Sequence, residues 1–242
     1  MCGRYDLSEA HRTLKLGGVE MALKLARTRY NIAPGQWAPL CRREELESSW
    51  SEGSWGLLPA WRRETKGGVR PINARSETVA VQPMFRTAFR ERRCLVPADG
   101  YYEWQTTPSG KDPWRWVRCD GQPMWLAGIW ELWRPPSVGE KGGAESESGS
   151  EEEWLTFALL TTAANADTRH VHDRMPVILG DQQASDWLDP GTGKSRLLEL
   201  CRSPDAGLLR GYRVGRIVNS SRNDVPDCIR RVSEEPGSDL FG

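Results

Sequence analysis

The feature that most constrains the fold is a succession of short runs rich in Trp, Val, Ile and Tyr, punctuated by Gly, Pro and Asp. They are WAPLCR (37–42), SWGLLP (54–59), RRCLVPA (92–98), YYEWQ (101–105), WRWVRC (114–119), PMWLAGIWELW (123–133), EWLTFALLTT (153–162) and RVGRIV (213–218). Runs of this length and composition between turn residues are strand signals. Helical periodicity is sparser. Ala184, Trp187 and Leu188 follow a start signal at Asp181, and Leu197, Leu198, Leu200 and Cys201 suggest a second helix from near Thr192. The segment MFRTAFRERR (84–93) reads as a basic amphipathic helix with Phe85, Ala88 and Phe89 on one face, and a further helix is expected within residues 8–28. No internal repeat is present. The expected fold class is α+β, as a single β-dominated domain.

Length and charge narrow the function classes. A chain of 242 residues suits one domain with a substantial core. The formal net charge is zero, which argues against a generic polyelectrolyte binder. The balance is uneven, however. Residues 134–153, RPPSVGEKGGAESESGSEEE, hold six acids and two bases, leaving 31 bases against 27 acids elsewhere. A local basic face can therefore exist. The acidic stretch has no periodicity and reads as a solvated low-complexity insertion. Strand-like runs on both sides make it a long hairpin connection rather than a domain linker. The six cysteines (2, 41, 94, 119, 201 and 228) show neither a CxxC pair nor zinc spacing, and five of them are expected to be ordinary reduced cytosolic cysteines. The start of the chain is polar, and no apolar run approaches membrane-spanning length.

Four polar islands interrupt the hydrophobic pattern: CGRY (2–5), RPINARSET (70–78), ADGYYEW (98–104) and HVHDRMP (170–176). Cys2 directly follows Met1. It is either an incidental cysteine at a frayed end or, once Met1 is removed, a residue carrying an α-amine and a thiol on adjacent carbons. Glu103 is a carboxylate among aromatics. Desolvation there would raise its pKa and suit it to proton transfer. Simple strand alternation would instead turn it to water, with Tyr102 and Trp104 inward. His170 and His172 could be structural, could ligate a metal, or could act as a general acid/base near neutral pH. Arg174 is a salt-bridge or phosphate-binding candidate. Asn73 and Arg75 share a face if their segment is extended. Asn73 could fix a hydroxyl or cap its own turn, and Arg75 could grip a phosphate.

Taken together, these islands resemble the SRAP (SOS-response-associated peptidase) family of abasic-site processing proteins. The matching pieces are MCGR, RYNIAP (29–34), WGLLPAW (55–61), RPINARSET (70–78), MFRTAFRERRCLVPADGYYEW (84–104), LAGIWE (126–131), LLTTAAN (159–165), HDRMPVIL (172–179) and VNSSRND (218–224). They occur in the family's order. The departures are the acidic insertion and His170. The resemblance implies an SRAP domain over residues 2–233, a barrel-like mixed sheet with peripheral helices, and a C-terminal tail at 234–242. It implies a monomer, without metal or cofactor, that acts on abasic sites in single-stranded DNA. In a bacterium it would be cytoplasmic. Cys2, freed of Met1, would form a thiazolidine with the opened sugar. Asn73 would orient that sugar, and Glu103 and His172 would move protons. Arg4, Arg75 and Arg174 would hold flanking phosphates. Trp55, Pro34 and Met84 would stack or wedge against bases, with a place in the core as the open alternative. The chief rival is an N-terminal-nucleophile cysteine amidohydrolase, which also opens Cys-Gly.

Overall fold

The computed structural model describes residues 2–9, 15–16, 19–20, 27–44, 47–62, 68–134 and 153–232. Met1, most of the acidic insertion (135–152) and the tail (234–242) lie outside the described residues. In chain order the elements begin with β1 (Arg4–Leu7), β2 (Lys15–Leu16), β3 (Val19–Glu20), β4 (Arg29–Ile32), β5 (Trp37–Glu44), β6 (Glu47–Trp55) and β7 (Asn73–Arg75). There follow α1 (Arg86–Glu91), β8 (Arg93–Ala98), β9 (Gly100–Thr107), β10 (Gly110–Arg118), β11 (Met124–Trp133) and β12 (Trp154–Ala163). The chain continues with β13 (Arg174–Pro176), β14 (Ile178–Leu179), α2 (Asp181–Leu188), α3 (Lys194–Leu200) and β15 (Leu209–Arg213). Single 3-10 turns at Arg216–Asn219 and Pro226–Ile229 follow.

Two sheets organise the molecule. One is antiparallel, in the order β15-β10-β9-β1-β4. In the other, β5, β6, β12, β11 and β8 pair in a closed ring, a five-stranded barrel whose parallel seam is β6–β12. Closure removes the exposed edges of those strands. β7 and β13 add to β12, and β14 adds to β11. This is the α+β, barrel-like mixed sheet that the sequence led us to expect. The sheets share one core, in which Tyr5 of β1 meets Trp55 of β6 edge-on at 5.2 Å. Trp55 in turn stacks on Phe157 of β12 at 6.4 Å.

Several boundaries differ from expectation. The run 54–59 is not a strand; β6 covers Glu47–Trp55 and stops at Gly56. Gly56 adopts φ +132°, open essentially to glycine alone, and its N–H crosses to Phe157 O at 2.8 Å. The run 213–218 also fails as a strand, because β15 ends at Arg213 and residues 216–219 form the first 3-10 turn. The basic helix is shorter than its motif, with Ala88 and Phe89 buried. Gly180, rather than Asp181, caps α2, its N–H donating to Gln183 Oε1 at 2.9 Å. Within the stretch 8–28, β2 and β3 pair with each other; residues 10–14, 17–18 and 21–26, on which the expected helix largely falls, lie outside the described residues.

β11 and β12 are antiparallel neighbours in register up to Trp133↔Trp154, so the acidic stretch joins the ends of one hairpin. All six cysteines are free, and Cys119 alone among them is exposed. No helix among the described residues is long and apolar enough to cross a membrane.

Candidate active site

The four polar islands meet where the five-stranded sheet abuts β7, β12 and β13. Strand β9 pairs with β1 through Arg4↔Tyr102 and Tyr5↔Tyr101, and with β10 through Glu103↔Trp114 and Tyr101↔Trp116. Alternation therefore sends Tyr101 and Glu103 to one face and Tyr102 and Trp104 to the other. Both faces of the strand are covered. Tyr102 packs in a second cluster with Val214, Val218 and Cys228, while Glu103 is only 4% exposed. The alternative that turned Glu103 to water does not hold.

Cys2, immediately before β1, is fully buried. Its carbonyl accepts a hydrogen bond from Asn73 Nδ2 at 2.8 Å, which ties the start of the chain to β7. Asn73 Oδ1 is buried and accepts no hydrogen bond among the described residues, leaving it available to a donor. Strand β7 owes its position to parallel pairing with β12 from Asn73↔Leu159 to Arg75↔Thr161.

Three titratable groups here feel the positive charge of the amino terminus. Burial pushes the Cys2 thiol well up, and the neighbouring Glu103 carboxylate pushes it further. Burial also lifts Glu103 to about 7 against an ordinary 4.5, partly offset by the positive charge of the amino terminus. Burial and that same positive charge lower His172, with Asp173 acting in the opposite direction. His172 Nδ1 accepts the Arg174 N–H at 3.0 Å and lies 2.9 Å from Asp173 Oδ1. These two contacts need different protonation states. The lowered pKa favours the neutral ring, with its Nδ1 lone pair on the Arg174 N–H and its proton on Nε2. Near neutral pH the site thus holds a protonated thiol, a carboxyl near its midpoint and a neutral imidazole. That set can both deliver and remove protons.

The segment that carries His172 is held from several sides. Asn165 closes a local turn through its Oδ1 to the Asp167 N–H at 3.1 Å. His170 packs edge-on against Trp114 and Trp116 at 5.4 and 5.6 Å. Trp116 in turn needs Gly211 opposite, where a Cβ would stand 2.5 Å from the indole. His170 is thus a packing residue. No group of three or more His, Cys, Asp or Glu side chains that could hold a metal is found among the described residues.

The expected DNA-contacting residues divide sharply. Arg75 is exposed and makes no ion pair among the described residues. Arg174 is engaged: Nη1 and Nη2 reach the Glu77 carboxylate at 2.5 and 2.9 Å, and Nη2 also donates to Thr161 O at 2.6 Å. Arg4 is a clamp rather than a free cation. It donates to Asn31 Oδ1 at 2.8 Å, Val218 O at 2.7 Å and Asn219 O at 3.1 Å. Trp55 is fully buried and donates its indole N–H to Ile72 O at 2.9 Å. It cannot stack on a base, and that expectation is corrected. Pro34 is exposed beside the turn at Gly35, and Met84 is half-buried. Trp61, at the other end of the same WGLLPAW motif, is 72% exposed and was not among the expected contacts. It stands in the turn closed by the Arg62 N–H on Pro59 O at 3.0 Å, outside any strand.

The comparisons with known proteins follow the same lines. The chain is 32% identical over 234 residues to the abasic site processing protein YoqW of Bacillus subtilis, covering 95% of this chain and 99% of the relative. It is 28% identical over 242 residues to the abasic site processing protein YedK of Escherichia coli, covering 96% of this chain and all of the relative. A crystal structure of a protein from Bacteroides thetaiotaomicron superposes with a TM-score of 0.72 at 26% identity, covering 84% of this chain and 85% of that one. Residues 1–221 match the family described as SOS response associated peptidase (SRAP), and the chain belongs to that family.

Proposed function

We propose that this protein processes abasic sites in single-stranded DNA, and that Cys2, freed of Met1, links to them covalently. The observation that carries the reading is the convergence on Cys2. Asn73 Nδ2 bonds its carbonyl at 2.8 Å, and the buried Glu103, with a pKa of about 7, acts electrostatically on its thiol. The Cys-Gly opening alone supported an amidohydrolase. Family membership and the Asn73–Glu103–His172 surroundings favour abasic-site chemistry instead.

The protonation states set the order of events. Hydrolysis of the Met1–Cys2 bond consumes one water and releases methionine. The α-amine produced has an ordinary pKa of about 7.7–8.0, so roughly a tenth is neutral at pH 7. The thiol is held protonated by burial, so the amine attacks first. It adds to the aldehyde carbon of the ring-opened sugar, giving a carbinolamine. Protonation of the carbinolamine hydroxyl by the Glu103 carboxyl expels water and leaves the C=N bond. The Cys2 sulfur then adds to the same carbon while its proton passes to the Glu103 carboxylate. The former C=N nitrogen ends as the ring amine of a five-membered thiazolidine. His172, neutral with its proton on Nε2, would donate that proton during ring opening. Holding amine, thiol and aldehyde together supplies several kcal/mol through effective molarity, of the ~7–11 kcal/mol available to well-oriented reactions.

DNA is gripped by Arg75, and by Arg174 once a phosphate displaces Glu77. Exposed Trp61 and Pro34 offer apolar contact to bases, the usual recipe for single strands. The test is incubation of the purified protein with abasic and intact oligonucleotides, followed by a denaturing gel. An abasic-specific shifted band that disappears in Cys2→Ala is expected. Absence of such a band, or its persistence in Cys2→Ala, defeats the reading.

A further inference from the structure

Between α1 and α3, away from the Cys2 site, lies a cleft of about 480 Å³ that the chemistry above does not use. Its floor is apolar: Phe89 and Leu197 are each 3% exposed, and Ala80 closes one side. Its rim carries Arg86, Arg90 and Lys194, with the hydroxyl residues Thr87 and Thr192, and no carboxylate lines it. Arg86 and Arg90 stand four residues apart on one face of α1, where like charges repel. Arg90 is held back by Glu91, at 3.0 and 2.5 Å. Arg86 and Lys194 have no ion-pair partner among the described residues. An apolar floor under unneutralised cations suits a planar ring carrying phosphate, and the volume falls within the range of small-ligand pockets.

The cleft also continues from the proposed DNA path. Arg75 O accepts the N–H groups of Thr78 and Val79 at 3.1 and 2.9 Å, so the chain turns directly from Arg75 into residues 78–84. That segment carries exposed Val81 and half-buried Met84, and its Ala80 forms part of the cleft wall.

We infer that this cleft is a second binding site for a phosphate-bearing nucleotide, occupied by the single strand as it runs beyond Arg75 over residues 78–84. The inference rests on the proposed DNA reading for the identity of the ligand. It is tested with the full chain and the double variant Arg86→Ala/Lys194→Ala, both positions being exposed. The affinity for an intact 20-nucleotide oligothymidylate is measured against salt, with a five-nucleotide oligomer carrying a central abasic site as control. Loss of two phosphate contacts should make the slope of log K against log salt shallower by about 1.4 for single-stranded DNA. Crosslinking of the short abasic oligomer should keep its wild-type rate, since Arg86 and Lys194 line the cleft and not the surroundings of Cys2. An unchanged slope in the double variant overturns the inference. So does binding of free thymidine monophosphate as tight as that of the oligomer and not competed by it, which would mark a small-molecule site. A shallower slope in a protein that forms no abasic crosslink would sustain the cleft while defeating the proposed covalent chemistry.

Discussion

Replacing Glu103 with Gln should make the protein slower and, above neutral pH, more stable. The carboxyl is 4% exposed, and burial raises its pKa from 4.5 to about 7. Between those values the folded state binds more protons at this position than the unfolded chain. Stability therefore falls as pH rises through the window from 4.5 to about 7. A shift of this size corresponds to roughly 3 kcal/mol once the carboxylate is fully ionised. Glu103→Gln keeps the shape and removes the ionisation. The variant should match the parent at pH 4 and exceed it by up to roughly 3 kcal/mol at pH 8.5. For a domain of this size that is about 6–12 °C in melting temperature. Loss of the proton donor should slow crosslinking by about 10²-fold or more. Denaturant titrations at the two pH values, beside single-turnover crosslinking on denaturing gels, read both effects. An equal stability difference at pH 4 and pH 8.5, or a variant less stable at pH 8.5, would refute the assignment of a buried carboxyl with a raised pKa.

Other expectations separate contact from architecture. Arg75→Ala should weaken single-stranded DNA binding without lowering the melting temperature. Arg4→Ala should destabilise the fold by about 1–3 kcal/mol, since it strands the acceptor Asn31 Oδ1 in a buried side chain; denaturant midpoints check this. Trp61→Ala should reduce DNA affinity in a stable protein. Trp55→Ala should cost about 3–5 kcal/mol of stability, read by calorimetry. The fully buried Asp6 holds Arg115 through Nε at 2.9 Å and Nη2 at 2.7 Å. Asp6→Ala should therefore cost about 3–5 kcal/mol by leaving an uncompensated buried guanidinium, measurable as a fall in the urea midpoint.

The strands that were legible in the sequence are those whose own residues fill a core, such as 93–98, 124–133 and 154–163. Where a glycine's conformation or a remote acceptor decides, local reading fails. Gly56 ends β6 ahead of three residues as apolar as a strand. Nothing in RVGRIV announces that its Val218 carbonyl is needed by Arg4. The inventory Cys2, Asn73, Glu103 and His172 was visible as polar islands, because isolated polar residues in apolar surroundings stand out. Their partners were not. Glu77 reads as an ordinary surface acid until β13 brings Arg174 to it. Trp55 and Trp61 share one motif and one chemistry, and only tertiary packing sends the first to the core and the second to solvent.

The Arg4 clamp has a consequence in time. Arg4, two positions from Cys2, is fastened by the carbonyls of Val218 and Asn219. Asn31 reaches the same segment, at Ser220 and Asn223. The strand synthesised among the first is thus secured by residues synthesised near the last. At about 5–20 residues per second, roughly 10–40 s separate Arg4 from its acceptors during translation. Throughout that interval the nascent chain carries Cys2 beside an Arg4 side chain that is not yet fastened. A chain cut short before residue 218 can still pair β1 with β4 and β9, but it lacks the carbonyls that fasten the Arg4 side chain.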